Sequence, residues 1–163
     1  MSRAEIFEAT GPSPGCFMRV KIGATRDGRI TAVSAYLLFE SGAYSFMSRV
    51  ERAATCMFAP YDIPHGRIDG YDILVNKPTS GAYRAPSATH VAFAYESVID
   101  EICEQIGVDP MEFRLKNVAR EGTRRINGVV YPRVGFMETM RAAMDTAHYK
   151  TPIEGSFRGR GVA

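Results

Sequence analysis

Side chains able to do chemistry concentrate in one stretch, Pro78-Thr79-Ser80-Gly81-Ala82-Tyr83-Arg84-Ala85-Pro86-Ser87. Glycine at position 81 allows backbone angles that other residues resist. Pro86 resists helix continuation and is expected to push Ala85 toward an extended conformation. Ser87 is a good helix N-cap. The pattern predicts a tight strand-to-helix loop that presents Tyr83 and Arg84 beside a helix N-terminus, a place that suits anionic or electron-rich ligands. On local chemistry alone an ordinary connection with a surface arginine is the simpler description.

The rest of the reactive inventory builds no centre. His65, His90 and His148 are far apart and show no ligand spacing, so each reads first as a solvated or structural histidine. His90 stands out because it falls one turn into the helix that follows Arg84. Cys16, Cys56 and Cys103 contain no Cys-x-x-Cys, so they cannot by themselves make a zinc or iron–sulfur site, and they read as small hydrophobes of a reduced cytoplasm. Asp100, Glu101 and Glu104 read as a solvated, ion-paired helix face. There is no nucleophile elbow, phosphate loop or dinucleotide fingerprint.

These residues must be positioned by elements that the patterning predicts. Met1 to Gly15 reads as an irregular lead-in, with Gly11-Pro12-Ser13-Pro14-Gly15 unable to propagate regular structure. Phe17 to Thr25 alternates, placing Met18, Val20, Ile22 and Ala24 on one face. Asp27-Gly28 signals a two-residue hairpin. Ile30 to Phe39 is the return strand, and its apolar second half predicts deeper burial than its partner has. Glu40 to Tyr44 breaks the pattern. Phe46 to Ala59 reads as a helix stopped by Pro60. A strand follows around Ile68 to Val75. Ser87 to Ile106 is the longest helix, with Gly107 as its stop. Asp109-Pro110-Met111-Glu112 opens another, running to about Val118. Val129-Val130-Tyr131 is a short strand candidate, and Phe136 to His148 a last helix. Strands precede helices, so the fold class is α+β: a β-hairpin and further strands in a mixed sheet packed with three to four helices.

The 163 residues fit one domain, 1–163, able to bury a real core. Hydrophobic residues are 45% and charged residues 23%, an ordinary globular composition. A net charge of +2 gives no reason to expect nucleic acid or a membrane surface as partner. No apolar run approaches a membrane span, and the N-terminus lacks a signal-peptide core.

Taken in order, several short motifs resemble one family. They are Gly23-Ala24-Thr25-x-Asp27-Gly28-x-Ile30-Thr31-Ala32, Ser41-Gly42-Ala43-Tyr44, Tyr61-Asp62-Ile63-Pro64, Asn76, Gly81-Ala82-Tyr83-Arg84, Ala94-Tyr95-Glu96-Ser97-x-Ile99-Asp100 and Gly107-Val108-Asp109-Pro110-Met111-Glu112-Phe113-Arg114-Leu115-Lys116-Asn117. No single motif is specific. Their order and spacing over Arg19 to Asn117 resemble the molybdenum-binding large subunit of the xanthine dehydrogenase and aldehyde oxidase family. The tail, Phe157 to Ala163, resembles the strand that leads into the next part of that subunit.

The resemblance implies hydroxylation of an aldehyde or an electron-poor ring carbon with oxygen from water. The implied cofactor is molybdenum held by a molybdopterin, in bacteria commonly the cytosine dinucleotide form. Electrons leave through iron–sulfur clusters to a flavin (FAD) or another acceptor. Gly81, Ala82, Tyr83 and Arg84 match the cofactor wall, with the Arg84 backbone N–H directed toward a ligand oxygen of the metal. Arg52 matches an arginine that stabilises purine substrates, nine residues before Tyr61; its alternative is a helix-surface ion pair. Pro86 matches a substrate-stacking Phe position. Pro86 cannot stack as Phe does, so purine is not the expected substrate. His90 replaces a frequent Gln. No residue here is expected to ligate the metal directly.

The family's glycine-rich segment, its Gln-Gly pterin contacts and its catalytic Glu have no match here. The resemblance therefore implies one piece of a larger cytoplasmic subunit, inactive and without molybdopterin when alone. Its implied partners are the remainder of that subunit, iron–sulfur and FAD subunits or domains, and a small-molecule substrate. Apolar surface left uncovered would favour self-association. The alternative is a non-enzymatic small-molecule-binding or interaction domain of the same fold.

Overall fold

The structure is a computed structural model, describing residues 1–44 and 47–161. Phe46, expected to open a helix, and Val162 and Ala163 of the tail lie outside the described residues. The elements are α1 (Arg3–Ala9), β1 (Cys16–Ala24), β2 (Ile30–Gly42), α2 (Arg49–Cys56), β3 (Gly66–Leu74), α3 (Ala88–Ile106), α4 (Pro110–Asn117), α5 (Phe136–Met144) and α6 (Ala147–Lys150). The class is α+β, a mixed three-stranded sheet with six helices among the described residues.

Strand order is β1-β2-β3, the first pair antiparallel and the second parallel. A parallel pair needs a crossover, and α2 lies within it. The turn between β1 and β2 is longer than the Asp27-Gly28 pair suggests. Gly28 N–H donates to Thr25 O, Thr25 N–H donates to Arg29 O, and Gly28 takes φ +82°. That is a three-residue loop closed by a left-handed glycine.

β2 is the central strand and supplies the core: Val33, Ala35, Leu37 and Phe39 point toward the helices. Leu37 and Phe39 are 0% exposed, while β1 is only half-buried, as the apolar run predicts. Against that face lie Ala53 and Met57 near α2, Val91, Tyr95, Ile99 and Cys103 of α3, and Phe113 of α4.

Further local expectations are corrected. The lead-in is not irregular: Ser2 caps α1 through Glu5 N–H, and the Glu5 carboxylate accepts from Ser2 N–H, a reciprocal capping box. β2 runs on through Glu40 and Ser41 to Gly42, because Gly42 pairs with Leu74. α2 is shorter than expected, starting at the Ser48 cap and ending at Cys56, before Pro60. The last helix is two, since Thr146 restarts the chain by capping α6 through Tyr149 N–H. Val129-Val130-Tyr131 forms only an isolated bridge, Arg124 with Val130, and residues 151–161 hold no strand.

Candidate active site

The loop from Asn76 to Ser87 has no regular structure, so specific bonds fix it. Its first half is rooted at Ser80 and Gly81. Ser80 N–H donates to Ser41 O at 3.1 Å, and Gly81 N–H donates to Pro12 O at 2.8 Å. A Cβ on Gly81 would fall 2.3 Å from Gly11 O, so position 81 needs glycine for close backbone approach. Gly81 is not among the positive-φ glycines, which corrects the reason given for it from sequence.

The third root is Arg49 of α2, which is 3% exposed. Its Nε donates to Ser80 Oγ at 3.0 Å and its Nη2 to Ser80 O. Asp72 Oδ1 of β3 accepts from the backbone N–H groups of Arg49 and Val50, both at 3.1 Å, and so fixes the start of α2. Arg49 thus ties α2 to the loop. Sequence reasoning missed it, because an arginine in an amphipathic helix reads as surface and Ser80 lies 31 residues away.

The second half of the loop carries the strain. Ala85 has φ +56° and Ser87 φ +64°, both left-handed and neither a glycine. The expectation that Pro86 would hold Ala85 extended is overturned. Ser87 does stand at the N-cap of α3, but its side chain makes no capping bond, and among the described residues its buried Oγ has no partner. Instead the Tyr83 hydroxyl accepts from Ser87 N–H at 2.7 Å and lies 2.8 Å from His90 Nδ1. Tyr83, His90 and Pro86 are half-buried, whereas Ala82, Arg84 and Ala85 are exposed. Among the described residues the N–H groups of Tyr83 and Arg84 have no hydrogen-bond partner, so the loop leaves these peptide donors free. Free peptide donors suit an anionic or oxygen-rich group.

Arg52 lies on α2, exposed, in a depression with Met47, Ser48, Glu51 and Thr55. Among the described residues it makes no ion pair, with Glu51 or any other carboxylate. Arg52 and Arg84, both cations without an acceptor, are not bonded to each other. Their elements are joined one helical turn earlier, by Arg49 and Ser80. Among the described residues no group of three His, Cys, Asp or Glu side chains could hold a metal ion.

Behind α3 a polar network fixes its distance from α4. Arg114, with a side chain 6% exposed, contacts Glu96 and Asp100, each at 2.8 Å. The Tyr61 hydroxyl donates to the Glu96 carboxylate at 2.8 Å. Burial pushes the Tyr61 phenol well above its usual range, and the Glu96 charge adds to it. Burial opposes the Arg114 charge, but the Asp100 and Glu96 carboxylates outweigh it and hold the guanidinium firmly protonated. These residues belong to the motifs quoted from the sequence, and their work here is structural.

Comparison with known proteins places the chain in a family. Residues 1–118 match the family model described as the molybdopterin cofactor-binding domain. The nicotinate dehydrogenase large molybdopterin subunit of Eubacterium barkeri is 31% identical over 133 residues, covering 80% of this chain and 31% of that protein. The aldehyde oxidoreductase of Megalodesulfovibrio gigas is 33% identical over 121 residues, covering 73% of this chain and 13% of that protein. Among solved structures, the aldehyde oxidoreductase from Desulfovibrio gigas superposes with a TM-score of 0.80 at 27% identity, covering 91% of this chain and 17% of that one. The chain thus spans less than a third of the length of these relatives. With most of its length matched, the chain belongs to the molybdopterin cofactor-binding domain family, alongside molybdenum-binding subunits of xanthine dehydrogenases and aldehyde oxidoreductases.

Proposed function

We propose that this chain, as a single domain over 1–163, forms one wall of the molybdopterin site of a cytoplasmic oxidoreductase. That enzyme hydroxylates an aldehyde or N-heterocycle carbon with oxygen from water. The observation that carries the proposal is the rooted loop, which leaves the Tyr83 and Arg84 N–H groups without a partner among the described residues, within the span matched by the cofactor-binding family. The donor set fits the cofactor, because a pterin with phosphate and oxo groups presents acceptor oxygens and the loop presents donors. When bound, the cofactor (in our reading the cytosine dinucleotide form) supplies the redox chemistry, and the protein supplies orientation and electrostatics.

In this reading Gly81 and Ala82 shape the wall, and Tyr83 and Arg84 face the cofactor through their peptides. Arg52 offers its free guanidinium to negative charge developing on the substrate. Pro86 lines the substrate side. The partners are the remainder of a large subunit and iron–sulfur and FAD subunits or domains. Tight cofactor binding and turnover belong to that assembly and not to this chain alone.

The test uses the assembled enzyme. Arg52→Ala should lower kcat by about a hundredfold, in the range seen when one charge-stabilising donor is lost. Arg84→Ala, which keeps the backbone N–H, should lose less than about tenfold, and both variants should keep stoichiometric molybdenum. Equal and negligible effects at the two arginines would remove the assignment. Stoichiometric molybdenum in the chain purified alone would remove the dependence on the assembly.

A further inference from the structure

We infer that the Tyr83 hydroxyl and His90 are positioning residues that latch the strained half of the loop and so hold the Tyr83–Arg84 peptide in its pose. The inference deepens the cofactor-wall reading and rests on it for its functional meaning, but its geometry stands on the chain alone.

Between Leu74 and Ala88 no strand or helix supports the backbone. Arg49, Ser41 and Pro12 hold the loop at Ser80 and Gly81. Beyond Arg84 the chain passes through two left-handed non-glycine residues, Ala85 at φ +56° and Ser87 at φ +64°. Such angles persist only when the surroundings enforce them. Ser87 is 0% exposed, so its N–H needs a partner inside the protein, and that partner is Tyr83 Oη at 2.7 Å. The hydroxyl spends a lone pair on Ser87 and keeps its own proton to give. His90 Nδ1 lies 2.8 Å away, and in the inferred latch it accepts that proton, which places the ring proton on Nε2. Phe39 of β2 meets the imidazole edge-on, with ring centroids 5.8 Å apart and planes at 77°, so the latch leans on the central strand of the core. Ser87 O in turn accepts from Val91 N–H, beginning α3. A plain aromatic ring at position 83 could line a wall but could not close this circuit.

The test follows the Ser87 amide by hydrogen exchange in the 163-residue chain, without cofactor. Tyr83→Phe and His90→Leu should each speed its exchange by about tenfold or more. His90→Gln, whose Oε1 can accept the Tyr83 proton, should return it to within about twofold of the parent. Nitrogen-15 spectra of the parent should show His90 protonated on Nε2. Unchanged exchange in Tyr83→Phe, a Gln variant as fast as the Leu variant, or an Nδ1-protonated ring would each overturn the latch. Global unfolding of Tyr83→Phe by circular dichroism would overturn it too, since the hydroxyl would then determine the fold and not the loop. The cofactor reading is judged separately, by molybdenum content in the assembled enzyme.

Discussion

Ser87 combines two unfavourable features in one residue. It takes φ +64°, and among the described residues its buried Oγ has no partner. A left-handed non-glycine residue costs roughly 1–2 kcal/mol, and an unsatisfied buried hydroxyl about 1–3 kcal/mol. Glycine would remove both penalties, at the expense of about 0.4–1 kcal/mol of extra freedom in the unfolded chain. We expect Ser87→Gly to stabilise the protein by about 1 kcal/mol, raising the thermal midpoint by roughly 2–4 °C. A lower midpoint would show that the serine side chain contributes packing that outweighs its strain. Arg49 shows the opposite economy at the same scale. Its guanidinium is buried and spent on Ser80, so Arg49 and Arg52, three residues apart on one helix, face different tasks.

At the scale of elements, one side chain joins the hairpin to α4. Asn117, 0% exposed, donates to Gly28 O and Phe113 O, each at 2.8 Å, and accepts from Ile30 N–H at 2.8 Å. Asn117→Ala strands all three partners in the interior and should cost about 2–4 kcal/mol in urea unfolding. A loss below about 0.5 kcal/mol would mean water replaces the amide. Much of this level could be read in advance. The Met18-Val20-Ile22 alternation, the left-handed stop at Gly107 and the Asp109-Pro110 start all stand where the pattern puts them. What escaped reading depends on partners distant in sequence. Nothing near Arg49 announces Ser80, and nothing near Tyr83 announces that its hydroxyl accepts from Ser87 N–H. The Ser2–Glu5 capping box was legible and was obscured by the Gly-Pro run after it. Of the candidate site, the loop was legible as a place but its bonds were not.

For the molecule as a whole, the response to alkali follows from its buried phenols. Tyr61 and Tyr95 both have pKa values raised by burial, with the Glu96 charge next in effect. The unfolded chain ionises tyrosine near pH 10 while the folded protein resists it. The stability each phenol contributes is therefore complete below about pH 10 and is lost as pH rises above it, by up to about 1.4 kcal/mol per pH unit for each residue. Urea unfolding between about pH 9 and 12 should show this decline. Tyr61→Phe should begin about 1 kcal/mol less stable near neutrality, for want of its bond to Glu96, yet fall less steeply. An identical slope in the two proteins would assign the decline to other groups.

The bond from Asn117 to Gly28 also sets a clock. Its two residues are 89 positions apart. At a synthesis rate of about 5–20 residues per second, the turn waits on the order of 4–18 s for the amide that locks it. For most of that interval α3, the helix that packs on β1, is also incomplete, so in the newborn chain Met18, Val20 and Ile22 wait for their cover.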